Sequence, residues 1–75
     1  MINIYSTPSC PYCHMVKDYL KSKNISFTDY NVAEDHDKAQ EMIEKSGQMG
    51  VPVVEIDNNI IVGFDKPEID RLLNL

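Results

Sequence analysis

Tryptophan is absent, cysteine is limited to two residues and glycine to three in a chain of 75. Seven lysines and arginines stand against twelve aspartates and glutamates, a net charge of −5. So little positive charge excludes the basic face that nucleic acid or an anionic membrane requires, and neither is expected as a partner. No apolar run approaches the roughly 18 residues needed to span a bilayer. The opening Met1–Thr7 has neither the basic start nor the apolar stretch of a secretory signal. The expected compartment is therefore the cytoplasm, where thiols stay reduced and a lasting structural disulfide is disfavoured.

With no linker, internal repeat or low-complexity stretch, residues 1–75 read as one domain, near the lower size at which a single core holds unaided. An apolar fraction of 43% and a charged fraction of 25% fit an ordinary globule rather than a disordered chain.

Ile2-Asn3-Ile4-Tyr5 alternates apolar and polar and predicts a short strand, broken by Ser6 to Ser9 with Pro8 as punctuation. A helix follows from Pro11, with Val16 and Leu20 inside beside Met15 and Tyr19, and Lys17, Asp18 and Lys21 outside. Lys23-Asn24 ends it, and Ile25 to Val32 predicts a second strand. Glu34 to Asp37 places negative charge at the positive end of the next helix, which buries Ala39, Met42 and Ile43 and stops at Gly47. Val51 to Ile56 and Ile60 to Val62 predict a hairpin around Asp57-Asn58-Asn59, residues that tolerate positive φ. Asp65 to Glu68 resembles a capping box, opening a helix with Ile69, Leu72 and Leu73 inside. The order β-α-β-α-β-β-α predicts an α/β fold, a four-stranded mixed sheet flanked by three helices.

Both cysteines fall in Ser9–Met15, SCPYCHM. A disulfide between Cys10 and Cys13 closes a minimal loop and removes little entropy from the unfolded chain, so a staple there stabilises little. A closed zinc site needs four ligands, and only His14, His36 and carboxylates remain to complete one, so no metal site is expected. A redox couple explains the local sequence better. Pro11 sits at the first helical position, where its missing N–H costs nothing. The Cys10 sulfur then faces the free N–H groups of Tyr12 and Cys13 and the positive end of the helix dipole, both of which favour the nucleophilic thiolate. Cys13, one turn in, is placed to resolve a mixed disulfide.

YSTPSCPYC after a first strand, then GVPVV, a hairpin and VGFD, resemble a glutaredoxin across essentially the whole chain. The resemblance implies a thioredoxin fold with Pro52 in a cis peptide bond facing the cysteines. It implies a monomeric thiol–disulfide oxidoreductase with no tightly bound cofactor, using glutathione as co-substrate to reduce protein disulfides or glutathionylated substrates. The Val51 backbone would pair with the cysteinyl part of glutathione, Gly63, Phe64 and Asp65 would hold its γ-glutamyl end, and Tyr12 would flank the bound peptide. The sequence departs from the family where a lysine and an arginine often meet the glycyl carboxylate: Thr7 and Met49 stand there instead. Lys66 replaces a second acidic residue. These departures resemble redoxins that take electrons from a flavoprotein reductase, including those that serve ribonucleotide reductase. A zinc or glutathione-ligated iron–sulfur module shared by two chains is the reading outside enzymes.

Among the other marked residues, His14 reads as solvated, Met15 and Met42 as core filler, and Met49 as exposed near the groove. Lys66 and the Glu34 to Lys38 run read as surface.

Overall fold

The computed structural model describes every residue, Met1–Leu75. The elements run β1 (Ile2–Ser6), α1 (Pro11–Ser22), β2 (Thr28–Asn31), α2 (His36–Ser46), β3 (Val53–Ile56), β4 (Asn59–Val62) and α3 (Lys66–Leu73). The four strands lie in the order β2-β1-β3-β4, with β1 parallel to β2 and antiparallel to β3, and β3 antiparallel to β4. This is the predicted α/β architecture. No helix is long and apolar enough to cross a membrane.

The period of two along β1 divides the core. Ile2 and Ile4 face Val16 and Leu20 of α1 and Ile69 of α3, together with Val54, Ile56 and Ile61. Tyr5 faces the other way, against Met42 of α2 and Val53. The helix ends follow the expected chemistry. Asp35 accepts the Lys38 N–H at 3.1 Å and Asp65 accepts the Glu68 N–H at 3.3 Å, each satisfying an orphan donor of a first turn. Gly47 closes α2 at φ 74°, a left-handed conformation that a Cβ would oppose.

Three expectations need correction. Two strands are shorter than predicted, whereas β1 and β4 each gain a residue, Ser6 and Asn59: β2 begins at Thr28, because Ile25 and Phe27 pack on the core while the chain crosses over from α1. β3 begins at Val53, leaving Val51 and Pro52 ahead of the ladder. Within α1 the inner stripe is Cys13, Val16 and Leu20, with Lys17 beside it. This i, i+3, i+4, i+7 pattern turns Met15 outward, 47% exposed, and draws Lys17 inward.

The α2 side of the sheet is fastened by polar groups. The buried Tyr5 hydroxyl donates to Glu41 Oε1 at 3.0 Å, and Lys45 Nζ donates to the Tyr5 oxygen at 3.1 Å. Lys45 also reaches Glu41 at 2.9 Å and Glu55 at 3.0 Å, joining α2 to β3. Lys38 donates to the second Glu41 oxygen at 2.9 Å. Hydrogen bonds from Lys45, Lys38 and Tyr5 hold the Glu41 carboxyl down, from its ordinary 4.5 to about 2. The Lys45 ammonium is correspondingly held up, chiefly by Glu41.

A depressed carboxylate contributes stability that is complete above its unfolded value and is lost as pH falls through its folded one. The Glu41 contribution should therefore disappear between about 4.5 and about 2. Thermal unfolding followed across that range should show a falling midpoint in the wild-type protein. Glu41→Gln should unfold at a lower temperature at neutral pH and show a shallower acid slope. An undiminished slope in the variant would place the acid sensitivity elsewhere.

Candidate active site

The chain leaves β1 at Ser6 and turns through Thr7, Pro8 and Ser9 into α1. Cys10 is the residue at that turn, with extended backbone (φ −94°, ψ 111°) and with Pro11 opening the helix. Its N–H donates to the Thr7 carbonyl at 3.3 Å. Its sulfur accepts the Cys13 N–H at 3.2 Å, so a thiol occupies the position where a serine or aspartate oxygen usually caps a helix. The positive end of the helix dipole points at the same sulfur. The expected contact with the Cys13 N–H is present; a second, from Tyr12, is not among the hydrogen bonds made.

Both thiols are free, Cys10 half-buried and Cys13 buried. Burial pushes the Cys13 thiol up to about 11, with the neighbouring Cys10 acting in the same direction and the Thr7 backbone and Lys17 acting against it. The two sulfurs therefore differ in access: solvent reaches one and the protein encloses the other.

Facing them is the segment before β3. The Val51–Pro52 bond is cis, as the resemblance implies. The Val51 carbonyl lies 3.8 Å from the Cys10 sulfur, within reach of a weak S–H donor. The Gly63 N–H donates to the Pro52 carbonyl at 2.8 Å, with Gly63 at φ 84° where a side chain would be strained. Cys10, Val51, Pro52 and Gly63 thus form one connected group. Tyr12 stands at its edge, 61% exposed, and Asp65 is exposed while capping α3. The Phe64 ring packs against the core and lies 6.0 Å from the Tyr19 ring, so its side chain serves packing.

Three further residues shape the site. Gln48 folds back on its own loop: Nε2 donates to Ser46 Oγ at 3.2 Å and to the Gly50 carbonyl at 3.1 Å, while Oε1 accepts the Gly50 N–H. A Cβ at Gly50 would stand 2.7 Å from that Oε1. The clamp occupies both ends of the Gln48 amide and leaves Met49 outside it, 78% exposed. His14 is exposed yet engaged, with Nε2 2.8 Å from the Pro8 carbonyl; that contact requires the tautomer with hydrogen on Nε2. Lys17, expected on the surface, donates to Asp29 Oδ2 at 3.0 Å and to Ser6 Oγ at 3.4 Å. The legible signal for Lys17 was its position four residues after Cys13.

The cations near this region are engaged with carboxylates. Lys17 holds Asp29, and Lys66 pairs with Asp70 at 2.7 Å while lying over the Tyr19 ring. No group of three or more His, Cys, Asp or Glu is placed to hold a metal ion. The concave surface around Tyr30, Glu34, Asp35 and His36 includes neither cysteine.

Comparison with known proteins agrees with this geometry. Residues 2–61 match the glutaredoxin family model. The chain is 62% identical over 73 residues to a glutaredoxin-like 8.6 kDa protein of the rubredoxin operon of Clostridium pasteurianum, covering 97% of both chains. It is 41% identical over 64 residues to glutaredoxin 3 of Escherichia coli, covering 85% of this chain and 77% of that one. Its fold superposes on the glutaredoxin-like NrdH-redoxin of Escherichia coli with a TM-score of 0.84 at 28% identity, over 95% and 92% of the two chains. Members of this family are thiol–disulfide oxidoreductases, and a cysteine pair at the start of α1 facing a cis proline, on a four-stranded mixed sheet with three helices, places the chain among them: it belongs to the glutaredoxin family.

Proposed function

We propose that the protein reduces protein disulfides through the Cys10–Cys13 dithiol, drawing electrons from a flavoprotein reductase rather than chiefly from glutathione. The observation that carries the dithiol reading is the capped sulfur of Cys10, 3.2 Å from the Cys13 N–H, with the second thiol buried one turn behind. Cys10 as thiolate attacks a substrate disulfide, forming a mixed disulfide and releasing one substrate thiolate. Cys13, deprotonated, attacks the Cys10 sulfur, releases the second thiolate and leaves the Cys10–Cys13 disulfide. Two electrons from the reductase restore the dithiol. One chain carries both thiols, so a monomer suffices, and a reducing cytoplasm suits the cycle.

Val51 precedes the β3 ladder, and its backbone is the natural partner for an extended peptide at the cysteines. Tyr12, Pro52 and Gly63 border that peptide, with the Phe64 backbone and Asp65 at its far end.

The charge pattern favours a protein reductant. Glutathione carries a net negative charge, and a site for it is helped by cations at the glycyl carboxylate. Thr7 and Met49 supply none, and the Gln48 amide is committed to its own loop. The thioredoxin-like activity profile of the Escherichia coli NrdH-redoxin supports the same choice.

Three outcomes are expected. Alkylation of the reduced protein at mildly acidic pH, mapped by mass spectrometry, should label Cys10 before Cys13, because Cys13 is buried and its thiol is held up to about 11. Preferential labelling of Cys13 would reverse the roles. Cys13→Ser should retain turnover of glutathionylated substrates with an external thiol while losing most reduction of protein disulfides; equal loss in both assays would remove the one-cysteine route. Thr7→Lys combined with Met49→Arg should lower the Michaelis constant for glutathione severalfold at low salt, each exposed cation contributing roughly 0.2–1 kcal/mol. High salt should erase much of that gain. No gain at low ionic strength would mean that missing cations do not limit glutathione use.

A further inference from the structure

Lysine is almost never enclosed unless a partner holds it. The Lys17 side chain is only 16% exposed, although it belongs to a helix whose solvent face had room for it. It sits between the Asp29 carboxylate of β2 and the buried Ser6 of β1, whose hydroxyl itself donates to Asp29 Oδ1 at 2.6 Å. A pair whose carboxylate remains partly open to solvent contributes only modestly to stability, so fastening β2 to α1 explains its presence only weakly. Its position says more. Lys17 follows Cys13 by four residues, which makes the two side chains neighbours on one helix face.

We propose that the Lys17–Asp29 pair governs the charge beside the enclosed thiol, and thereby the rate at which Cys13 displaces a substrate from Cys10. The inference rests on the dithiol reading above and assigns positioning residues to its second step. In that step the Cys13 S–H bond gives its proton to water, and the thiolate forms a bond to the Cys10 sulfur. The bond from Cys10 to the substrate sulfur breaks, and the substrate leaves as a thiolate. Negative charge must first appear on a sulfur that the protein buries.

Few groups face that sulfur. From α1 come Cys10 and Lys17, while His14 turns away to the Pro8 carbonyl. The turn before α1 offers the Thr7 backbone, and Lys17 is itself held by Ser6 of β1 and Asp29 of β2. The other buried side chains on this side of the sheet, Ile4, Val16, Val54 and Ile69, carry no charge. Lys17 is thus the cation available to the Cys13 thiolate, and Asp29 both fixes it in place and cancels part of its field.

The two partners should therefore act with opposite signs. Lys17→Met leaves the Asp29 carboxylate uncompensated and disfavours the Cys13 thiolate. Asp29→Asn leaves the Lys17 charge uncompensated and favours it. A purely structural clasp would weaken in the same direction on losing either partner. The size follows from thiol chemistry: each unit of thiol pKa changes the thiolate fraction about tenfold while nucleophilicity moves about threefold the other way, a net change of about threefold in rate below the pKa.

The experiment mixes the reduced full-length protein with an aryl disulfide whose thiol product is coloured, and follows two releases by stopped flow. The first reports attack by Cys10 and the second reports displacement by Cys13. A wild-type protein that releases only one equivalent would overturn the dithiol reading and this inference with it. With two releases, Lys17→Met should slow the second about threefold or more at neutral pH and move its pH profile to the alkaline side. Asp29→Asn should quicken it and move the profile to the acid side, and Lys17→Arg should retain the wild-type profile. If Lys17→Met fails to fold, the sign of the Asp29→Asn shift decides alone. Profiles that move the same way in both variants, or a slower second release in Asp29→Asn, would overturn the proposal.

Discussion

The bond from the Cys13 N–H to the Cys10 sulfur joins the folding of α1 to its chemistry. A helix leaves its first N–H groups without partners, and a capping acceptor is worth about 1 kcal/mol. A carboxylate or hydroxyl oxygen fills that need at the starts of most helices, as Asp35 and Asp65 do here. At α1 the acceptor is a sulfur. The placement that completes the helix start is therefore also the placement of the attacking atom. Pro11 keeps the first helical residue from competing for an acceptor, and the cis proline segment brings the Val51 carbonyl opposite the same atom.

Once Cys10 occupies the cap, the helical period places Cys13 one turn inward, on the stripe with Val16 and Leu20. Two chemically identical residues acquire different surroundings from a spacing of three. One is half-buried at the positive end of a dipole; the other is enclosed, with its thiol held up to about 11. A half-buried attacker and an enclosed partner thus share one turn of one helix.

Much of this was legible in the sequence because it depends on local rules. The element order, the Asp65 cap, the Gly47 stop and the Pro11 helix start all follow from residues acting on their own neighbours. The cis Val51–Pro52 bond came from the family resemblance rather than from local chemistry. Misplaced features depended on rotation or on distant partners. Met15 and Lys17 exchanged their expected faces because pairs at i and i+4 do not say which of two adjacent stripes faces the sheet. Only the strand across from Lys17, carrying Asp29, decides that a lysine can be inside. The Gln48 amide closes on Ser46 and Gly50, two residues away on either side, a clamp no sequence pattern announced. Ile25 and Phe27 read as strand because they are apolar and β-prone, whereas the fold uses them as packing beside the ladder.

In a chain with seven cations and twelve acids, most of the cations pair with a carboxylate. Lys38 and Lys45 are drawn to Glu41, Lys66 to Asp70 and Lys17 to Asp29. Lys45 also reaches Glu55 and so fastens α2 to the sheet, while the Lys66 and Lys17 pairs brace α3 and hold β2 beside α1. Near the cysteines, Lys17 and Lys66 are engaged in this way. Tyr12 and Met49 stand among the exposed residues there, with Pro8, Ser9 and Asp65. The acidic composition thus supplies the partners that hold a small fold together and leaves few cations unpaired on its surface.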